Sequence, residues 1–282
     1  MEAVGRIDLR QSGRGKEWHF YNLSDMHLGN VACAKGRLAA DIAAIKADPY
    51  ARVWLTGDLG EYITARDSRS DFSCLDRDIF DITDLGNIGE TISGKLLEIL
   101  TPIKDKILGI GIGNHEWAYA HAENQESIHR ALCVQLGVRY LGYTALVDTV
   151  FHRASTRVSV RHLLSHGCGG AQTPGGKINT LRKYMYSHDA DIYWIGHLHD
   201  KKADRMVTIG ADRNCKTLKE RVKLGVISGS YFRTYVQGHT TYGEVRGYAP
   251  THIGPAKVTI IPFTYSKRNG KEANTIQYFA EV

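Results

Sequence analysis

Short apolar runs alternate with longer stretches in which apolar residues recur every three or four positions. That is the pattern of an α/β chain. The runs His19–Ser24 (HFYNLS), Arg52–Thr56 (RVWLT) and Lys106–Ile112 (KILGIGI) read as buried strands. Ala34–Ala47 reads as a helix, with Leu38, Ile42 and Ile45 near one face and Pro49 beyond its end. Thr91–Lys104 and Glu116–Leu136 read as two more helices, and the polar segment 61–90 as an insertion. Past Tyr143 the character changes. Tyr143–His152 and Arg157–Ser165 alternate in the strand manner and can pair. Ile178–Ser187 reads as a helix, Asp191–Ile195 (DIYWI) as a strand, and the part after 205 as strand-rich. No linker or repeat interrupts the chain, so residues 1–282 read as one domain. Its first half builds a β-α-β sheet, and its second half a more antiparallel sheet packed on the first.

Composition narrows the class. The chain has 282 residues, 43% hydrophobic, with 36 Lys and Arg against 30 Asp and Glu, a net charge of +6. These values fit a soluble globular protein and exclude a disordered or collagen-like chain. No apolar run approaches the roughly 18 residues of a membrane span, and the N-terminus lacks the apolar core of a signal peptide. Five cysteines at wide spacing, with no CxxC, argue against a disulfide framework or a zinc-thiolate site. A cytoplasmic protein is expected. The modest positive charge weakly favours an acidic partner such as nucleic acid.

Five blocks fall at the ends of expected strands: Asp25-Met26-His27, Gly57-Asp58, Gly113-Asn114-His115-Glu116, Ser165-His166-Gly167 and Gly196-His197-Leu198-His199. Strand C-termini are where α/β folds gather ligand-binding groups. Alternate residues of a strand end point the same way, so DxH and HxH can each send two side chains into one site. Carboxylate and imidazole donors together suit Mn, Fe or Zn. A shared carboxylate can bridge two ions about 3.5–4 Å apart. The neighbouring glycines leave the backbone room to turn sharply.

The order D-x-H, G-D, G-N-H-E, H-G, G-H-x-H resembles the calcineurin-like metallophosphoesterase superfamily, over Asp25 to His199. The resemblance implies a four-layer αββα sandwich of two mixed β-sheets flanked by helices. It also implies two divalent metal ions, Mn2+ before Fe or Zn. By that resemblance Asp25, His27 and His199 hold the first metal, Asn114, His166 and His197 the second, and Asp58 bridges them. A hydroxide between the metals then attacks phosphorus in line. His115 protonates the leaving oxygen or stabilises the transition state.

Other residues keep two readings. Glu116 is an outer hydrogen-bond partner or a favourable charge at a helix N-terminus. Glu61 is an outer partner or solvated, and not a ligand. The Gly-rich string Gly167–Lys177 either lends N–H groups and Lys177 to a substrate phosphate or merely connects. Lys201–Lys223, with eight Lys or Arg against three acids, steers a polyanion or forms a solvated face, and Arg66 and Arg69 share that ambiguity. Tyr231, Phe232, Arg233 and Tyr235 stack on a base or pack on a strand, and Arg233 is the candidate substrate contact among them. Cys168 reads as a small filler. Of thirteen histidines, eight read as structural or surface residues: His19, His121, His129, His152, His162, His188, His239 and His252.

The start Ser24-Asp25-Met26-His27-Leu28-Gly29 resembles the Mre11 and SbcD type of nuclease, and the string YGEVRGYAPTHIGPAKVTI resembles compact phage or prophage members. The second block, GDLGEYI, departs from the G-D-x-V-D-R-G of the protein-phosphatase branch. A phosphodiesterase acting on nucleic acid or nucleotides is therefore the leading expectation. A phosphomonoesterase acting on a small phosphorylated substrate is the alternative. A non-enzymatic interaction module comes third, because a scaffold has no need of seven ligands.

Overall fold

The computed structural model describes residues 3–63, 72–123, 127–212, 214–250, 252–268 and 271–282. Arg66 and Arg69 lie outside them. In chain order the elements are β1 (Ala3–Arg10), β2 (Trp18–Leu23), α1 (Lys35–Ala47), β3 (Ala51–Thr56), α2 (Ile88–Leu100), β4 (Ile107–Gly111), α3 (Asn114–Glu123), α4 (Ser127–Leu136), β5 (Tyr140–Gly142), β6 (Thr144–Arg153), β7 (Thr156–Ser165), α5 (Pro174–Ser187), β8 (Ile192–Ile195), β9 (Lys201–Ala211), β10 (Leu218–Ser230), α6 (Tyr242–Val245), β11 (Gly254–Arg268) and β12 (Lys271–Glu281). The strands run in the order β1-β6-β7-β8-β10-β11-β2-β3-β4-β5, with β9 on β10 and β12 on β11. In the sheet the two halves join where β10 meets β11, through the pairs Gly229–Pro255 and Ser230–Gly254. On either side of that join, β2-β3-β4 and β7-β8-β10 are parallel sets. Their C-terminal ends carry the five blocks.

Strand periodicity sets the layers. Phe20, Trp54, Trp194, Val226 and Val258 share one buried cluster, drawn from both halves of the sheet. On the opposite face of β2 and β3, Leu23, Val53 and Leu55 pack with Leu38 and Ile42 of α1, Ile92 and Leu96 of α2 and Leu132 of α4. On the far side, Tyr193, Ile195 and Ile227 pack with Leu181 and Met185 of α5. No helix among the described residues is long and apolar enough to cross a membrane.

Several boundaries differ from the sequence reading. β1 was not anticipated. Among its described side chains only Leu9 is buried, and its parallel partner β6 lies far along the chain. The helix expected from Thr91 starts at Ile88 and gives way at Thr101 to a 3-10 turn with Pro102 in its first positions. The expected helix Glu116–Leu136 is two described helices, and the first begins at Asn114. α5 begins four residues earlier than expected, at Pro174. Thr173 caps it by accepting a hydrogen bond from Gly176 N, and proline suits the first turn. The end of the Gly-rich string is thus helical. All five cysteines are free, and Cys168 is exposed, not a core filler.

His162 keeps its structural reading. It is fully buried, and Trp194 Nε1–H donates to its Nδ1 at 3.2 Å, which leaves Nε2–H to donate to Thr149 Oγ1. Burial depresses its pKa to about 3. The folded state therefore holds it neutral, while the unfolded chain takes up a proton below its ordinary value of 6.5. Its contribution is intact above pH 6.5 and falls away as the pH drops towards 3. Between pH 7 and 5 wild-type stability should fall by about 2 kcal/mol through this group. His162→Gln should show a smaller fall in urea midpoint over that range; an identical fall would contradict the assignment.

Candidate metal centre

The blocks converge at one end of the parallel strands, between the two halves of the sheet. Asp25, His27, Asp58 and His166 are buried. Asp25, His27, Asp58, His197 and His199 all adopt positive φ, between 45° and 66°. Non-glycine residues held there cost about 1–3 kcal/mol each and persist only where surrounding contacts fix them. The sequence reading placed this strain on the glycines; most of it lies on the candidate ligands themselves. Backbone bonds between neighbouring loops hold it in place. Asp25 N donates to Gly57 O at 3.0 Å, His27 N to Asp58 O at 3.1 Å and Leu28 N to Leu59 O at 3.0 Å. The loops approach so closely that a Cβ on Gly57 would lie 2.2 Å from Gly113 N, and one on Gly113 would lie 2.1 Å from Asp58 Oδ1.

The donor atoms form two groups. In the first, His27 Nε2 and His199 Nε2 are 3.1 Å apart, and His199 Nε2 is 3.3 Å from Asp25 Oδ1. In the second, His166 Nε2 is 3.0 Å from Asn114 Oδ1, 3.1 Å from Asp58 Oδ2 and 3.3 Å from His197 Nδ1. Outer partners set the ring orientations. His27 Nδ1–H donates to Glu61 Oε2 at 2.8 Å, and His166 Nδ1–H to the Thr56 carbonyl at 2.9 Å. Each ring then turns Nε2 inward. Were both rings neutral, their facing lone pairs would repel, so a cation, either a proton or a metal ion, belongs between them. Nitrogens 3.1 Å apart suit one ion bound at about 2.1 Å near a right angle. The residues therefore fit divalent ions, and the carbonyl and carboxylate behind the rings are the partners such ligands need.

Glu116 resolves its two readings by combining them. Its carboxylate accepts from Asp58 N (2.9 Å), Leu59 N (2.7 Å), Gly60 N (3.3 Å) and Gly113 N (2.8 Å). The bond to Gly113 N is the return half of a capping box at the start of α3. The other three tie that helix to the Asp58 loop. His115 N donates to Asp58 Oδ1 at 2.9 Å, and His115 Nδ1–H to the Glu61 carbonyl at 2.6 Å. Glu61 is buried and bonded to His27 and Asn30, which excludes the solvated reading. Asn30, which the sequence reading did not single out, supports that carboxylate at 3.1 Å.

Burial alone would raise the Asp58 carboxyl, but the His166, His115 and His27 rings hold it well below the usual carboxylate range. Burial alone would depress His27 and His166. Glu61 beside the first and Asp58 beside the second outweigh it and lift both to about 9. An entering ion must displace those protons, so affinity should rise by up to about tenfold per pH unit for each histidine deprotonated, from pH 6 towards 9, and then level. Chelator-competition titrations at pH 6, 7.5 and 9 check this; a flat profile would contradict it.

A cavity of about 800 Å³ opens from the two donor groups. Lys177, Gly169 and Gly170 line it, as do Phe232 and much of the segment 238–249. Lys177 is buried on the first turn of α5 and pairs with Asp200 at 3.2 Å. Arg233 is exposed and does not line the cavity, so the structure does not bring it to the other candidates. Tyr231 is packed away, its hydroxyl bonded to Asp41 at 3.0 Å, whereas Phe232 meets the His27 and His199 rings. The basic stretch Lys201–Lys223 forms the β9–β10 hairpin, none of its described side chains lines the cavity, and several are paired, as Arg221 is with Asp191 at 2.9 Å. His239, read as a structural or surface histidine, lines the cavity, and so does Arg246. His252 is exposed and does not line it.

No known family profile and no curated protein matches the sequence. Solved structures that align with it include a conserved uncharacterized protein, a predicted phosphoesterase, from Streptococcus pneumoniae TIGR4, at 12% identity and a TM-score of 0.34. They also include a double mutant of Vps29 from Entamoeba histolytica, at 12% identity and a TM-score of 0.35. Each alignment covers 93% of this chain and 99% of the other. At that distance the likeness carries no argument about function, which rests on the geometry of the centre.

Proposed function

We propose that the chain is a phosphoester hydrolase dependent on two divalent ions, acting on phosphodiesters of nucleic acid or nucleotides. The observation that carries this reading is the pair of adjacent donor groups, with Asp58 grouped both with His27 and His115 and with His166 and His197. The motif resemblance to the calcineurin-like metallophosphoesterases points the same way. The three core clusters support the four-layer order of helices, sheet, sheet and helix. Asp25, His27 and His199 would hold one ion, Asn114, His166 and His197 the other, and Asp58 both. Bound there, the ions would supply Lewis acidity, which acidifies water and offsets charge on phosphoryl oxygens. Carboxylate, amide and imidazole donors suit Mn2+, with Fe or Zn as substitutes. Free cysteines throughout fit a reducing, cytoplasmic setting.

The protein groups divide the remaining work. The bond from His115 Nδ1–H to the Glu61 carbonyl fixes the orientation of the ring beside Asp58, and an imidazole held there is suited to hold a proton for the departing oxygen. Lys177 brings a positive charge to the cavity wall, where a phosphate oxygen can share it with Asp200. The cavity volume favours a diester over a small monoester. About 800 Å³ lies in the range that holds a nucleotide-sized ligand and far exceeds a lone phosphate.

The test compares Mn-loaded protein on bis-p-nitrophenyl phosphate and p-nitrophenyl phosphate, with Asp58→Asn as the blank. A diester preference is expected; a clear monoester preference would replace this reading with the phosphomonoesterase one. On the better substrate, His115→Ala should keep its metal content and lose about 10²–10⁴-fold in kcat. Near-normal turnover would remove His115 from its role.

A further inference from the structure

One part of the cavity wall has a chemistry unlike that of the metal centre. Tyr242, Arg246 and Tyr248 all line it, from one short segment that includes α6. The Arg246 guanidinium lies 5.2 Å from the Tyr242 ring centroid. The Tyr242 and Tyr248 rings meet edge to face, 6.2 Å between centroids and 85° between planes. Tyr242 remains 46% exposed, although it sits in a concave wall. Arg246 makes no ion pair among the described residues, and no carboxylate from 238–249 lines the cavity. An exposed ring, a second ring that props it and an unpaired cation form a surface for a flat, electron-rich group carrying negative charge.

The wall is also held in shape. Thr241 Oγ1–H donates to the Thr234 carbonyl, and the same oxygen accepts from Glu244 N at 3.1 Å, which caps α6. Thr234 Oγ1–H donates to Ala249 O at 3.3 Å, and Tyr235 O–H to Tyr248 O at 3.2 Å. Both ends of the aromatic segment are thus tied to 234–235, so little ordering is left for a ligand to impose.

We propose that Tyr242, Tyr248 and Arg246 form a nucleobase subsite, which selects phosphodiesters bearing a nucleoside next to the phosphorus. This rests on the phosphoester reading above. The base stacks on the tyrosine wall, Arg246 meets its oxygens or a flanking phosphate, and the cavity leads from there to the metal centre. Stacking on an aromatic side chain tolerates any base, so the subsite selects nucleoside over non-nucleoside rather than one sequence over another.

Two substrates with the same leaving group isolate the effect: the p-nitrophenyl ester of thymidine 5′-phosphate, and methyl p-nitrophenyl phosphate. Mn-loaded wild type should favour the thymidine ester by about tenfold or more in kcat/KM, chiefly through KM. Tyr242→Ala and Arg246→Ala should erase most of that ratio, chiefly by raising KM for the thymidine ester. Tyr242→Phe, which keeps the ring, should retain it. A binding arm needs no turnover. Calorimetry should show an adenosine 5′-phosphonate, whose C–P bond resists hydrolysis, binding about tenfold tighter than methylphosphonate, and Tyr242→Ala should remove the difference. Equal binding of the two phosphonates by wild type, or a difference that survives Tyr242→Ala, would overturn the subsite. A protein that hydrolyses neither ester yet keeps the Tyr242-dependent difference would retain the subsite and lose the proposed activity.

Discussion

Asparagine in place of Asp58 should strip the protein of metal and turnover together. The Asp58 carboxylate lies 3.1 Å from His166 Nε2 through one oxygen and accepts the His115 N–H through the other. It is buried, and three imidazole rings hold it ionised. Asparagine keeps the shape and one acceptor oxygen but removes the charge both ions would share. An outer hydrogen-bond partner of a metal ligand is worth roughly 10–100-fold in affinity or activity, and a shared ligand should exceed that. Elemental analysis after dialysis should find about two ions per wild-type chain and fewer than about one in the variant, with activity at background. Full metal content with substantial turnover would mean that Asp58 is not shared.

Glu116→Ala should do the largest damage to stability. It leaves four backbone N–H groups, on Asp58, Leu59, Gly60 and Gly113, without the acceptor they now use. A buried donor left unsatisfied costs about 1–3 kcal/mol. Even with partial rescue by water, the loss should reach several kcal/mol of a total near 5–15. For a chain of this length that is a fall in Tm of about 10 °C or more. Glu116→Gln keeps Oε1 for Leu59 and Gly60 but would turn an amide towards the Asp58 and Gly113 donors, so it should fall between. Thermal unfolding followed by circular dichroism decides this. A Tm within about 2 °C of wild type for the alanine variant would show that the loops do not depend on this carboxylate.

Both predictions join the two loops that the sequence separates most clearly, and the join itself was only half visible. Glu116 sits three positions after Gly113, so its capping role follows from helix geometry. Its bonds to Asp58, Leu59 and Gly60 cross 56 to 58 residues and follow from no local rule. Glu61 is similar. Its place after Asp58 marked it as a neighbour of the site, but its bond to His27 depends on how two loops lie side by side. Lys177 and Arg233 were equally plausible basic residues in Gly- or aromatic-rich strings. The early start of α5 carried Lys177 to the cavity, while the irregular chain after Phe232 left Arg233 exposed and outside it.

The sequence by itself determined the alternation of elements and the identity of the candidate ligands. Strand period and helix caps are local, and D-x-H, G-D, G-N-H-E, H-G and G-H-x-H each announce a polar group at an apolar run's end. Only the tertiary structure decided three things. It moved the backbone strain onto Asp25, His27, Asp58, His197 and His199, because loops packed this closely fix φ through contacts from distant segments. It added β1, a strand interrupted by Gly5 and by the charged Arg6 and Asp8, held by pairing with β6. It also built part of the cavity wall from Tyr242, Arg246 and Tyr248, in a segment without periodicity, where side-chain bonds to Thr234 and from Tyr235 set the shape. Local pattern records what each residue can do; which residues meet is settled by long-range packing, to which that pattern is blind.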